Sequence, residues 1–191
     1  MEKFKRLDLP IFPSLEVELQ YLLASNKIYW NKNQICINTT EENHDDFTFG
    51  TGSLEIDWDN SSYHIDSFNS ISLDIKKRSA VIQETDFTEM CSQFENTSFQ
   101  KIHDILKKEF SIGRLRLMLL EPRQCMSWHH DQSMRIHYPI KTSESCFMII
   151  ENQVLHLPKN TWWLTNTLNK HTALNSSTQS RIHLVASVVS F

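Results

Sequence analysis

From Arg114 to the C-terminus, apolar positions recur with a period of two. Leu115, Leu117 and Leu119 alternate with Arg114, Arg116 and Met118. Further short runs follow at Arg135 to Ile140, Cys146 to Ile150, Val154 to Leu157, Thr161 to Leu164, His171 to Leu174 and Arg181 to Phe191. Successive strand residues face opposite sides, so such runs predict strands. Their spacing of roughly ten residues predicts an antiparallel sandwich or a closed jelly roll rather than a βαβ fold. Two segments instead carry the helical period. Leu15, Leu19, Leu22 and Leu23 mark a helix over about Ser14 to Ser25, with Ser14 as N-cap. Phe99, Ile102, Leu106 and Phe110 mark another over about Thr97 to Phe110, with Gly113 as its stop. Both are expected to brace a sheet. Between them, Ile35 to Ala80 reads as short strands and polar loops. Asn38 to Asp46 is a polar loop able to edge a pocket, and Ile71, Leu73 and Ile75 mark a half-buried strand.

The chain has 191 residues, enough for one domain with a substantial core. We expect a single domain over 1–191, in which 1–110 brace the core and 111–191 supply the functional strands. The formal net charge is −4 with scattered Lys and Arg, which argues against the basic stripe of a nucleic-acid binder. Lys76-Lys77-Arg78 is a short basic run of the kind found in solvated turns. No segment approaches the ~20 apolar residues that span a bilayer, and Met1 to Pro13 lacks the apolar core of a secretory signal. Cys36, Cys91, Cys125 and Cys146 are widely and irregularly spaced, which points to reduced thiols and a cytoplasmic location.

Trp128-His129-His130-Asp131 contains an H-x-D. On extended backbone His129 and Asp131 project to one face, while His130 points away. His171, in Lys170-His171-Thr172-Ala173, lies on a later predicted strand. Two imidazoles and one carboxylate form the facial triad that suits iron(II) and leaves coordination positions open. An H-x-D alone is weak evidence in a chain with nine histidines, and His156 is a rival ligand. Arg181 strengthens the reading. It lies ten residues after His171 and opens the apolar strand Arg181-Ile182-His183-Leu184-Val185. A guanidinium buried there needs an anion. 2-Oxoglutarate offers a keto acid end for the metal and a distal carboxylate for the arginine. Arg135 and His137 share a face and can assist.

The span from Arg114 to Val189 resembles the aspartyl/asparaginyl β-hydroxylase family. Leu120-Glu121-Pro122 is similar to that family's turn before the first metal histidine, and His129 and His171 match its two metal histidines. Arg135-Ile136-His137 resembles its R-x-H strand, and Arg181 its arginine for 2-oxoglutarate. The Asn152 to Pro158 hairpin and Trp162-Trp163 resemble the strand pair before the second histidine. Asp131 is absent from the vertebrate members, so the chain looks more like bacterial and phage members, including free L-proline hydroxylases. Met118 stands where some relatives carry a serine near the co-substrate.

The resemblance implies a mainly β, double-stranded β-helix core of jelly-roll or cupin type. It also implies an iron(II) and 2-oxoglutarate-dependent hydroxylase that releases succinate and CO2, with ascorbate as reductant in vitro. The substrate expected is an amino acid, free or within a peptide. Arg116, His130 and Trp163 are candidates to meet it, and no catalytic residue is expected beyond the metal ligands. Two other classes stay open from the residues alone. One is a cupin-type metalloenzyme that does not use 2-oxoglutarate; the other is a non-catalytic jelly-roll binding module.

Overall fold

In a computed structural model the structure describes residues 2–57, 60–65, 67, 70–79 and 82–190. The chain begins with β1 (Phe4–Leu7), α1 (Leu15–Ala24), β2 (Gln34–Cys36) and β3 (Asn38–Thr39). There follow β4 (Ser62–Ile65), β5 (Ile71–Asp74), β6 (Glu89–Met90) and α2 (Ser98–Glu109). The second half is all strand: β7 (Ser111–Leu120), β8 (Gln124–Cys125), β9 (Met134–Lys141), β10 (Cys146–Ile150) and β11 (Gln153–Leu155). It closes with β12 (Trp162–Thr165), β13 (His171–Asn175) and β14 (Arg181–Ser190).

A six-stranded sheet, ordered β1-β12-β9-β14-β7-β2, and a four-stranded sheet, ordered β11-β10-β13-β8, form the jelly-roll core. Every pairing in both is antiparallel. Strand alternation divides the large sheet cleanly. Leu115, Leu117, Ile136, Tyr138, Leu184 and Ala186 point to one side and pack with Leu15, Leu19, Phe99, Ile102 and Leu106 of the two helices. Arg114, Arg116, Arg135, His137, Arg181 and His183 occupy the alternate positions and line a cavity on the other side. Apolar burial thus holds the helices on one face and leaves the opposite face free for polar work.

The helices match expectation, with differences at their ends. Thr97 caps α2 by accepting the Phe99 N–H (3.2 Å), whereas the Ser14 side chain makes no capping bond. Gly113 is not a helix stop. It lies inside β7, where the Glu84 carbonyl oxygen would come within 2.2 Å of any Cβ, so only glycine fits. The polar loop after Ile37 is partly structured. Buried Asn38 donates to the carbonyls of Phe87 and Gly113 and accepts from the Leu115 N–H. It ties loops to β7 and does not edge the cavity.

The strand over Ile71, Leu73 and Ile75 exists but is not half-buried as a whole. β4 and β5 pair only with each other among the described strands. Register places Tyr63, Ile65, Ile71 and Leu73 on one face of this ribbon, and Tyr63, Ile65 and Ile71 are exposed. The basic run is solvated as expected at Lys76 and Lys77, but Lys77 and Arg78 are not in a turn. They continue the ribbon's base, where Ile56 bridges Lys77 and the Arg78 N–H donates to the Glu55 carbonyl, and both line the cavity. No helix among the described residues is long and apolar enough to cross a membrane.

Candidate active site

The cavity between the two sheets measures about 830 Å³. Its floor is the inner face of β7, β9 and β14, and Met148, His171 and Ala173 face it from the smaller sheet. Residues 52–56, 77–78 and 82–84 form its outer wall.

His129, Asp131 and His171 converge, each offering one ligand atom within 4.8 Å of the others. The backbone explains why. His129 and His171 form an antiparallel bridge, exchanging N–H···O bonds of 3.1 and 2.9 Å, which brings their rings to 4.2 Å between centroids. The Asp131 N–H donates to the Thr167 carbonyl (2.9 Å), keeping the carboxylate on the same side. The tautomers are fixed as a metal requires. His129 Nδ1–H donates to the Ser127 carbonyl at 2.8 Å and His171 Nδ1–H to the Asn169 carbonyl at 2.9 Å. A carbonyl only accepts, so both protons sit on Nδ1 and both Nε2 lone pairs are available to an ion. This donor set fits a divalent metal with open positions. Burial, opposed by the Asn169 bond and Asp131, lowers the pKa of His171 and favours its neutral form.

Beyond the triad lies a group of buried cations. Arg181 is buried, and burial presses its pKa down to about 10. Its Nε lies 3.0 Å from His183 Nε2, and one terminal nitrogen lies 3.0 Å from His183 Nδ1. A neutral imidazole accepts at only one nitrogen, so at least one of these contacts sets donor against donor. Among the described residues no carboxylate comes within 4.0 Å of the Arg181 guanidinium. His137, beside His183, leaves its buried Nε2 without a partner. Burial first, then Arg181, hold the pKa values of both histidines well below 6.5. Fixed donors that lack acceptors in a closed cavity are arranged for an anion.

The remaining arginines differ in how fully they are occupied. Arg114 donates to the carbonyls of Gly50 and Gly52 and pairs with Glu84 at 2.9 Å. Arg135 pairs with Asp131 at 3.1 Å and Glu84 at 3.2 Å, and donates to Ser133 Oγ at 2.6 Å. Glu84 is thus held between arginines. Burial works to raise its pKa, but Arg135, Arg114 and Arg116 outweigh it and leave it at about 2. Among the described residues Arg116 has only neutral acceptors, Gln34 Oε1 at 2.8 Å and the Gly52 carbonyl at 3.3 Å. Burial, with Arg114 alongside, lowers its pKa to about 9.

The cavity therefore gathers nearly all of the residues singled out from the sequence: His129, Asp131, His171, Arg181, Arg135, His137, Arg116 and His130. His130 stands exposed at the rim, its Nδ1 3.1 Å from the Leu168 carbonyl. Trp163 does not line the cavity. Its Nε1 donates to Thr161 Oγ1 and its indole packs against Phe4, Met148, Ile150, Leu157 and Ala173. Its register opposite His137 sets it on the cavity side of the large sheet, where the apolar cluster between the sheets takes it up. His156 is not a ligand of the triad, because it lies outside the cavity lining and apart from the three converging ligand atoms. Sequence reasoning missed His183 and Glu84. His183 lies two residues beyond Arg181 on one strand and so shares its face, a signal that was available. Glu84 carries no local signal.

The family model described as Aspartyl/Asparaginyl beta-hydroxylase matches residues 60–190. The chain belongs to the aspartyl/asparaginyl β-hydroxylase family. It is accordingly an enzyme of the oxygenase type. The match covers the cavity strands and also reaches back through the β4–β5 ribbon and α2. No curated protein matches the sequence. Among solved structures, an oxidoreductase of the 2OG-Fe(II) oxygenase family from Burkholderia pseudomallei is 12% identical, over 48% of this chain and 58% of its own, with a TM-score of 0.41. A cupin domain from Bordetella pertussis is 11% identical over 40% of this chain and 81% of its own, TM-score 0.36. A predicted oxalate decarboxylase from Thermotoga maritima is 13% identical over 47% and 71%, TM-score 0.35. Each of these likenesses covers less than half of the chain.

Proposed function

We propose that this hydroxylase-family chain is a single-domain, iron(II) and 2-oxoglutarate-dependent enzyme that hydroxylates an amino acid, free or within a peptide. The observation that carries the reading is the pairing of a His–Asp–His cluster with a buried guanidinium that has no carboxylate partner among the described residues. His129, Asp131 and His171 would hold the iron. Iron with 2-oxoglutarate bound supplies dioxygen activation, in which the co-substrate is decarboxylated to succinate and CO2 and one oxygen atom enters a C–H bond.

The chain's own part is binding, orientation and exclusion of water. Arg181 grips the distal carboxylate of the co-substrate, and this supplies the acceptors that His183 cannot. His137, held neutral, donates its unpartnered Nε2 as an N–H to the same anion. Arg116 meets an acid group of the substrate. Seven Lys or Arg and three Asp or Glu side chains line the cavity, an excess of cations that fits more than one anionic ligand. The open rim at His130 admits the substrate. We place the enzyme in the reducing cytoplasm on the wide, irregular spacing of its four cysteines along the sequence.

The test is succinate release from 2-oxoglutarate by the purified chain with iron(II) and ascorbate, screened over free amino acids and short peptides by mass spectrometry. The expected result is succinate together with a gain of one oxygen in one candidate, and loss of both in His129→Ala. A metal-loaded chain that binds no 2-oxoglutarate would instead favour a cupin-type enzyme, and a chain that binds no metal a non-catalytic module.

A further inference from the structure

Arg181 and His183 stand two residues apart on β14, and His137 lies on the neighbouring β9; all three are buried and line the cavity. Register sets His137 opposite Val185, so His183 is its diagonal neighbour on the same face. Arg181 and His137 meet the anion, and His183 touches both of them. Burial beside Arg181 keeps both rings neutral. A neutral imidazole carries one proton on two nitrogens, and the place of the His183 proton decides what its two neighbours can offer.

With that proton on Nδ1, His183 Nε2 accepts the Arg181 Nε–H at 3.0 Å. The Nδ1–H then has an acceptor in His137 Nδ1 at 3.5 Å, a long hydrogen bond. The His137 proton must accordingly sit on Nε2, the buried atom without a protein partner. One mismatch is left, between His183 Nδ1–H and a terminal nitrogen of Arg181 at 3.0 Å. It falls on a nitrogen with a second N–H to give to an incoming acceptor.

The other tautomer fits less well. A proton on His183 Nε2 would face the Arg181 Nε–H, a single donor with no second hydrogen to offer. His183 Nδ1 would become an acceptor, and a His137 proton drawn to it would leave a bare Nε2 lone pair. An anion repels a lone pair.

Building on the reading of this cavity as the co-substrate site, we propose that His183 is a positioning residue that acts through its tautomer. In the Nδ1–H form it holds the Arg181 guanidinium by Nε and fixes the His137 proton on Nε2. Arg181 and His137 then meet one anion as aligned donors, with no rearrangement needed when it arrives.

The experiment is NMR of the imidazole nitrogens in the metal-free full chain, isotope-labelled at its histidines, at neutral to slightly alkaline pH. Calorimetric titration of the Co(II)-loaded protein with 2-oxoglutarate follows. Wild type is compared with His183→Phe, which removes both ring nitrogens, and with His183→Asn, whose amide keeps an N–H near the place of Nδ1. His137→Asn assigns the His137 signals, and thermal unfolding reports the folded fraction of each variant. Wild type is expected to show Nδ1–H at His183 and Nε2–H at His137. His183→Phe is expected to turn His137 into a mixture of tautomers and to weaken 2-oxoglutarate binding by about 10-fold, the loss of roughly one hydrogen bond to an ion. His183→Asn is expected to keep His137 as Nε2–H, so it reads the relay even where His183→Phe fails to fold. An Nδ1–H tautomer at His137 in wild type would overturn the proposal. So would a His183→Phe protein that melts lower but keeps the wild-type His137 tautomer and affinity, since His183 would then only pack. A wild type with both expected tautomers that binds no 2-oxoglutarate would support the relay and remove the reading of its ligand.

Discussion

Arg181 has five N–H donors and, among the described residues, one imidazole to receive them. That imbalance distinguishes it from Arg114 and Arg135, whose donors meet carboxylates and carbonyls. Replacing it should remove the anion and little else. Arg181→Met is expected to weaken 2-oxoglutarate binding to the metal-saturated protein by about 100-fold, in line with the roughly 2–5 kcal/mol cost of truncating a buried charge pair. Calorimetric titration reads this directly; an unchanged affinity would mean that the co-substrate lies elsewhere. The ligands and Arg181 were legible as residues because metal and anion chemistry demands their types. Their protonation was not legible. The Nδ1 bonds that aim His129 and His171 go to carbonyls of Ser127 and Asn169, which any residue at those positions would offer. Trp163 shows the opposite failure: it shares the cavity-side face with His137 but is taken up by the apolar cluster between the sheets.

Among the elements, β7, β9 and β14 carry the most information. Each alternates apolar residues for the helix side with basic residues for the cavity side, so Arg114/Arg116, Arg135/His137 and Arg181/His183 repeat one design on three neighbouring strands. This alternation made the jelly roll readable. The ribbon of β4 and β5 alternates as clearly, yet its apolar face is exposed, because alternation reports a face and not what covers it. Gly113 was misjudged for a related reason. Its requirement comes from the Glu84 backbone, which lies far away in sequence. Gly113→Ala should destabilise the fold by about 1–3 kcal/mol, since a backbone carbonyl cannot step aside as a flexible side chain would. A shift in the denaturant midpoint would report it. An unchanged midpoint would show that the turn at Glu84 yields to the added methyl group.

For the molecule as a whole, the buried basic cavity sets the response to acid. His137 and His183 are kept neutral when folded, by burial first and by Arg181 next, with pKa values well below 6.5. Unfolded, they titrate near 6.5, so between the two values the unfolded chain binds more protons. Stability of the metal-free protein is therefore complete above about pH 6.5 and declines below it, by up to about 1.4 kcal/mol per pH unit for each histidine. Glu84 extends the loss at lower pH, as it falls through the interval from 4.5 to about 2. Denaturant midpoints at pH 7.5, 6.0 and 5.0 should fall in that order, and equal midpoints would contradict neutral burial of the two rings. The strand pattern and the chemistry of His129, Asp131, His171 and Arg181 could be read from the chain itself, because pleat periodicity and ligand type are local properties. What met the arginines could not. Glu84 joins Arg114 and Arg135, and Gln34 joins Arg116, across separations of 30 to 82 residues. Only the closing of two sheets and an outer wall around one cavity decided which cations were already paired and which still face a ligand.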